Sequence, residues 1–561
     1  MLIEGTTTMP AGILADFARE LMSYWPMAGG AVVLVDREGV IAEFGFGHAD
    51  VEHGISARPD HLFQIGSISK TFVSVAVNQL VDEGTMSLDE PITDILPWVD
   101  LGAGDGRVTV RQLLSHTGGL IMGGDGVPDD MAQLWGLRDL TRSAEPEQHF
   151  HYSNLGYMLL GQAVRARTGT PLSEVMRTRI LEPLGMAATR GSIREEDRGR
   201  SATGYWPARD ESPWFPGEPI CPATWFEIDM ADGNVTSNAT DMGRFARFLL
   251  GNGTVDGASV ISEQAMTRMG SATAPGGEDI VGLRGGLPVT LSRYGLGVNV
   301  ETIDGHHCLT HGGGMVGFQT FLLVDRTAGV GVVVLTNANG CYPVAQVIAR
   351  AGHQILCGGS ISSLPTGHDA IAINDVVNDH GDDWHGDFVA ETPEGERAIT
   401  ITRDGVGVMH VQSDGVVGRL VPFLGRYVTD HQGLRDYRWD ADFVDGEPRW
   451  ICGPDVFRPA GSASLDLGDH DPAGDSLLGR YRSYSPWFTN FRVFRRTGRL
   501  FLSAPGGVEA PGEDCLLVPV DGGWRIGADA WLPERLVAGP IVNGLAISVI
   551  RDGVPYSRPE F

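Results

Sequence analysis

Phe63-Gln-Ile-Gly-Ser-Ile-Ser-Lys70 ends on the only lysine of a 561-residue chain. Lysine and arginine together number 42, so the other 41 basic side chains are arginine. Arginine carries charge and bridges carboxylates as lysine does, but it does not release its proton in a protein. A lysine kept in an otherwise lysine-free chain is therefore a candidate for proton chemistry, and Ser67 stands three residues before it. From Ser67 to Glu83 the apolar positions Phe72, Val73, Val75, Ala76, Leu80 and Val81 describe a largely buried helix, stopped at Gly84. At this spacing Ser67 and Lys70 share one face at the start of the helix. Serine needs a base to become a nucleophile. The helix N-terminus suits a developing oxyanion, and its field, with burial, is expected to turn Lys70 toward the neutral amine.

Two further motifs lie downstream. Of the 11 tyrosines, only Tyr152 is followed two residues later by asparagine, in Tyr152-Ser-Asn154. A phenol beside a cation can shuttle a proton, and an amide can hold a substrate carbonyl. His311-Gly-Gly-Gly-Met-Val-Gly-Phe318 comes directly before an apolar strand pattern, Phe318–Val324. Glycines there let a substrate backbone approach a strand edge, and a bare N–H can complete an oxyanion hole. Taken singly, each motif has a plainer explanation: chance spacing, a packed tyrosine, a glycine-rich turn.

The surrounding chain reads as mixed helix and strand. Residues 11–24 have a helical period at Ile13, Leu14, Phe17, Leu21 and Met22. Ala31–Val35 with Val40–Phe44, and Phe318–Val324 with Val330–Leu335, read as hairpins, and a helix from Pro343 to Leu356 is closed by Gly358. Beyond about residue 360 short alternating strands rich in Gly and Asp take over, and the chain repeats. Gly386-Asp-Phe388 and Arg403-Asp-Gly405 match Gly479-Arg-Tyr481 and Arg496-Thr-Gly498; Asp445-Gly446 and Arg458-Pro459 match Asn543-Gly544 and Arg558-Pro559. Two copies of one antiparallel unit, each long enough to close as a barrel, account for this, joined by Ala460–Ser476.

Composition bounds the partners. A net charge of −29 argues against nucleic acid and anionic membrane surfaces, and no apolar run approaches the length of a membrane span. The N-terminus has no basic start or apolar stretch, so the cytoplasm is the expected compartment. Cys221, Cys308, Cys341, Cys357, Cys452 and Cys515 are scattered singly and are expected to be reduced thiols, forming neither disulfides nor a zinc site. His306-His307 and His149/His151 have no cysteines or carboxylates at ligand spacing and read as surface or supporting residues; His116 reads as fixing its own loop. No metal or cofactor is expected. The expected partner is a small-molecule or short-peptide substrate, with a homodimer left open.

Together, Ser-x-x-Lys, Tyr-x-Asn and His-x-Gly, in that order, resemble the active site of the penicillin-recognising serine hydrolases: class C β-lactamases, D,D-peptidases, D-aminopeptidases and related esterases. Leu113-Leu-Ser-His-Thr-Gly-Gly-Leu120, Leu181-Glu-Pro-Leu-Gly-Met186 and Val332-Val-Val-Leu-Thr-Asn337 resemble the family too, and the resemblance covers residues 10–358. It implies Ser67 as the acyl-forming nucleophile, Lys70 as its base partner and Tyr152 as proton carrier to the leaving group. It further implies Asn154 on the acyl amide, an oxyanion hole at Ser67 and Gly314 with Gly313 beside it, and His311 supporting Lys70 and Tyr152. True β-lactamases and many penicillin-binding proteins have lysine where this chain has His311, whereas many D-aminopeptidases and esterases of the family have histidine. Bacterial D-aminopeptidases also carry two antiparallel barrels, one sending a loop into the active site.

The resemblance thus implies an α+β protein: residues 1–358 as a β-lactamase-like catalytic domain, an antiparallel sheet with helices on its faces plus an all-helical region, followed by barrels at 366–462 and 475–561. The implied activity is a D-stereospecific aminopeptidase or amidase, with an esterase or transacylase on a small ester or secondary metabolite as the alternative. A sensor with a vestigial serine site is the competing non-catalytic reading.

Overall fold

The computed structural model describes residues 9–102, 107–123, 129–139, 145–359, 371–373, 384–393, 395–444, 446–465 and 472–559. Asp445 of the repeat, and part of the joining stretch Ala460–Ser476, lie outside them. The chain forms two compact units, residues 1–206 with 220–371, and residues 207–219 with 372–561.

The first unit is built on one antiparallel sheet of eight strands. They are β1 (Met27–Asp36), β2 (Val40–Asp50), β3 (Ile55–Ser56), β4 (Val289–Tyr294), β5 (Asn299–Ile303), β6 (His306–Met315), β7 (Phe318–Asp325) and β8 (Val330–Ala338). Their order across the sheet is β4-β5-β6-β7-β8-β1-β2-β3. The two hairpins read from the sequence are present as β1–β2 and β7–β8, and β8 pairs back onto β1, which joins the early and late parts of the chain.

Helices cover both faces of the central strands, which is why β1, β7 and β8 read as nearly unbroken apolar runs rather than alternating ones. Helix α1 (Met9–Leu21) packs on α5 (Val344–Leu356), and Gly352 of α5 abuts Leu34 and Val332. Helix α4 (Ala239–Leu250) meets the other face, where Gly243 abuts Val33 and Val35. Successive strand residues point to opposite faces, so Leu34 and Val33 assign α5 and α4 to opposite sides. The helical region contains α2 (Ser69–Asp82) and α3 (Asn154–Thr168), packed on one another. Helix α2 is buried along most of its length, and Thr71 and Ser74 donate to the Gly297 and Leu296 carbonyls at 2.9 and 2.6 Å. Among the described residues no helix is long and apolar enough to cross a membrane.

In the second unit, strands between Gly386 and Pro459 close one barrel and strands between Gly479 and Ser557 close another, eight strands each. The repeat is in register with this. Arg403 and Arg496 both end a second strand, and Gly446 and Asn543-Gly544 both lie between a sixth and a seventh. In the second copy that connection has grown into a small ribbon, Ile541–Val542 with Leu545–Ala546. Arg458 and Arg558 are both buried where the eighth strand ends; Arg458 pairs with Glu391 at 3.1 Å, and Arg558 lies 5.0 Å over the Tyr481 ring. Aromatic side chains fill both interiors, Trp439, Trp450 and Phe457 in one, Tyr481, Phe491 and Tyr556 in the other.

Candidate active site

Ser67 does not open α2 directly. It sits in a 3-10 turn, Gly66–Ile68, which runs into the helix at Ser69. Gly66 adopts φ +53°, a left-handed conformation that a side chain would strain. A Cβ there would also lie 2.8 Å from the Gly314 nitrogen, so the turn is pressed backbone to backbone against β6. Lys70, one helical turn on, is fully buried. Its Nζ donates to Ser67 Oγ at 2.9 Å and to the Asp232 carbonyl at 2.7 Å, which fixes the amine beside the hydroxyl.

The same amine lies 4.9 Å from the centre of the Tyr152 ring and 5.6 Å from that of Tyr157. Ser153 caps α3 by accepting from the Gly156 N–H, so Tyr152 precedes the helix and Asn154 is its first residue, buried, with its N–H donating to the Met122 carbonyl. The His116 loop holds this motif. Its Nδ1 accepts the Ser153 N–H at 3.0 Å, its carbonyl accepts from His151 at 2.8 Å, and its ring stacks on Tyr152 with centres 4.1 Å apart. Burial, then the Lys70 charge, holds the His116 pKa well below its usual range, so the ring is neutral. The role read for His116 from sequence, loop fixation, extends to carrying the second motif.

The third motif is strand rather than turn, because all of His311–Met315 lies within β6. Pairing of β6 with β5 stops at Thr310 opposite Asn299, whereas pairing with β7 runs on to Met315. Among the described residues, His311 to Met315 thus have a strand neighbour on one side only, and the other edge faces the Ser67 turn. A Cβ on Gly313 would fall 2.0 Å from the Ile65 carbonyl, which only glycine allows. His311 is buried. Its Nδ1 donates to the Gly312 carbonyl at 2.6 Å, and its Nε2 accepts from the Tyr294 hydroxyl at 2.7 Å.

A profile described as Beta-lactamase matches residues 14–356. The chain belongs to the beta-lactamase family. Penicillin-binding protein 4 of Amycolatopsis lactamdurans is 28% identical over 321 residues, 55% of this chain and 80% of its own. The octameric penicillin-binding protein homologue from Pyrococcus abyssi has a TM-score of 0.59 at 22% identity, covering 80% of this chain and 100% of that one. D-amino acid amidase from Ochrobactrum anthropi SV3 has a TM-score of 0.51 at 23% identity, covering 62% and 96%. These two structures share the fold.

Within this beta-lactamase-family site, the structure gathers Ser67 and Tyr152 around the Lys70 amine, sets Gly313 and Gly314 against the Ser67 turn, and connects His311 through Tyr294. Tyr294, Glu278 and the Asp232 carbonyl are participants that the motifs do not reveal. A carbonyl belongs to every residue, so no residue type could have pointed to Asp232. Tyr294 links the second and third motifs, since its ring centre is 6.3 Å from that of Tyr152 and 4.7 Å from that of His116. Burial lowers the His311 pKa to about 3, with the Lys70 charge acting in the same direction. A Glu278 carboxylate oxygen lies 3.9 Å from His311 Nδ1, and burial, then the Glu301 charge, raises its pKa to about 8. The third motif therefore presents a neutral imidazole beside a carboxyl group, and no lysine.

Proposed function

We propose that this chain is a serine hydrolase that forms an acyl-enzyme on Ser67 and releases N-terminal D-amino acids from small amides or short peptides. The observation that carries the reading is the 2.9 Å contact between the sole lysine and the Ser67 hydroxyl inside a buried site. Neutral Lys70 takes the hydroxyl proton as Oγ bonds to the substrate carbonyl carbon, and the oxyanion forms toward the N–H groups of Ser67 and Gly314. Tyr152, beside the new ammonium, passes the proton to the leaving amine as the C–N bond breaks. The same groups then take a proton from water, whose oxygen attacks the acyl carbon. The acid leaves and Ser67 regains its proton.

The substrate class follows from charge. A substrate carboxylate finds no lysine at the third motif, only the neutral His311 and the Glu278 carboxyl. A free amino group suits that carboxyl, and its positive charge favours the ionised form. The Ochrobactrum protein, by its description a D-amino acid amidase, is the precedent for this acyl class on this fold. Assays of D-alanine amide, its L-enantiomer and a short-chain nitrophenyl ester, run side by side, test the proposal. Cleavage of the D-amide with a Ser67-dependent adduct to a fluorophosphonate is expected. Rapid ester turnover with neither amide cleaved would replace it with the esterase or transacylase reading, and no adduct on Ser67 would leave the sensor.

A further inference from the structure

At the end of the sheet away from Gly314, the first residue of β6, the last residue of β7 and the last turn of α5 come together. His306 Nδ1 lies 2.7 Å and His353 Nε2 2.8 Å from the same oxygen, Asp325 Oδ2. Cys357 Sγ is 3.4 Å from His353 Nε2 and 3.9 Å from Asp325 Oδ2, and all four donor atoms lie within 4.8 Å of one another. The other Asp325 oxygen accepts the N–H groups of Thr327 and Ala328 at 2.9 and 2.8 Å, which points Oδ2 at the cluster. Asp325 and His353 are buried, while His306 and Cys357 reach the surface. Along β6 this point is eight residues from Gly314, roughly 26 Å, so none of these side chains serves the Ser67 site.

We propose that His306 Nδ1, Asp325 Oδ2, His353 Nε2 and Cys357 Sγ form a tetrahedral zinc site. Two imidazoles, one carboxylate and one thiolate are a donor set that zinc favours over the harder cations. With bonds of about 2.1 Å to N and O and about 2.3 Å to S, a tetrahedron has N–O edges of about 3.4 Å and edges to sulfur of about 3.6 Å. Two of the three sulfur edges, 3.4 and 3.9 Å, already bracket that value. The two N–O distances are hydrogen-bond lengths and open by about 0.6–0.7 Å when an ion replaces the shared hydrogens. On binding, the Cys357 thiol loses its proton to solvent, and each imidazole moves its proton to the nitrogen facing away from the ion. The ion's two positive charges are then matched by Asp325 and Cys357. With four protein ligands the site is closed, so it pins the C-terminal end of α5 to the sheet and performs no reaction.

Linear spacing gives His306 no ligand partners, so no metal is expected from it. The fold supplies them from β7 and α5. The test titrates chelator-dialysed full-length protein with cobalt(II) as a spectroscopic probe, then with zinc. One equivalent of cobalt is expected, with a near-ultraviolet thiolate charge-transfer band and intense visible bands of tetrahedral cobalt, both lost on adding zinc. C357S should lose the charge-transfer band, H306Q should keep it, and each should weaken zinc binding more than about tenfold. Both positions reach the surface, so circular dichroism of the variants should match the parent. Absence of the band at excess cobalt, or equal zinc affinity in parent and both variants, would mean a hydrogen-bonded cluster only and overturn the proposal.

Discussion

Lys70 is fully buried, and its two named partners are a hydroxyl and a carbonyl. An arginine in its place would keep a cation, form hydrogen bonds and carry too much volume, but could not accept the Ser67 proton. Lys70→Arg is therefore expected to fold, at an overpacking cost of about 1–3 kcal/mol, and to lose acylation by about 10²–10⁴-fold. Intact-mass labelling of Ser67, beside a melting curve, separates the two effects. Glu278 makes a pH prediction. Its folded pKa of about 8 lies above the ordinary 4.5, so the folded state binds more protons between those values and stability falls as pH rises through that window. From pH 7 upward His311, with its pKa near 3, is neutral and contributes little to the slope. Because 24% of the Glu278 side chain reaches solvent, the expected slope is on the order of 0.5 kcal/mol per pH unit, below the full-proton limit of about 1.4. Denaturant melts at pH 7 and 8 should show this fall in the parent and lose it in Glu278→Gln.

At the scale of elements, the site depends on a turn and a strand that touch through glycine. An added Cβ at Gly313 would meet the Ile65 carbonyl at 2.0 Å and Thr320 Oγ1 at 2.3 Å. Neither atom belongs to a flexible chain end, so Gly313→Ala should push the Gly66–Ile68 turn from β6 and shift Ser67. A displacement of about 1 Å at a reacting atom costs on the order of 10² in rate, so kcat should drop about a hundredfold with the KM of a small amide changing little. Equal kinetics in this variant would show that the Ser67 turn is set by α2 alone. Gly313 also shows what could be read in advance. Ser67 with Lys70, and Tyr152 with Asn154, are local pairs, so spacing alone brings them together; the glycine run could be read as a close approach but not as the edge of β6. Tyr294 and Glu278 reach His311 only because β4 pairs through β5 to β6 and the preceding segment folds alongside. Likewise Asp325, His353 and Cys357 gather around His306 through three elements, a convergence that a one-dimensional spacing rule cannot contain.

For the molecule as a whole, the tandem barrels were legible because each copy repeats its turn residues at the same strand ends, and turns demand particular residues where strands tolerate many. The path of residues 207–219 was not, since Pro207, Pro213, Pro216 and Pro219 mark a loop without marking which part of the chain it joins. This stretch interrupts the first unit in sequence yet belongs with residues 372–561. Arg435 pairs with Glu218, Arg482 with Asp210 at 2.8 Å, Arg492 donates to the Glu211 carbonyl at 2.8 Å, and the Arg419 guanidinium lies 4.7 Å over the Phe215 ring. Trp214 and Phe215 are only 4% and 2% exposed. A chain cut after residue 371 keeps Ser67, Lys70, Tyr152 and His311 but strips that stretch of its partners. Two large aromatic side chains, each with roughly 150–250 Å² to bury, would then face water on one segment, enough for a self-association patch. The truncated chain is expected to aggregate or bind a hydrophobic dye on size-exclusion chromatography. Replacing Trp214 and Phe215 by serine in the same truncation should return a monodisperse species. A truncated chain that is soluble and dye-silent without those replacements would show that residues 207–219 hold their burial without residues 372–561.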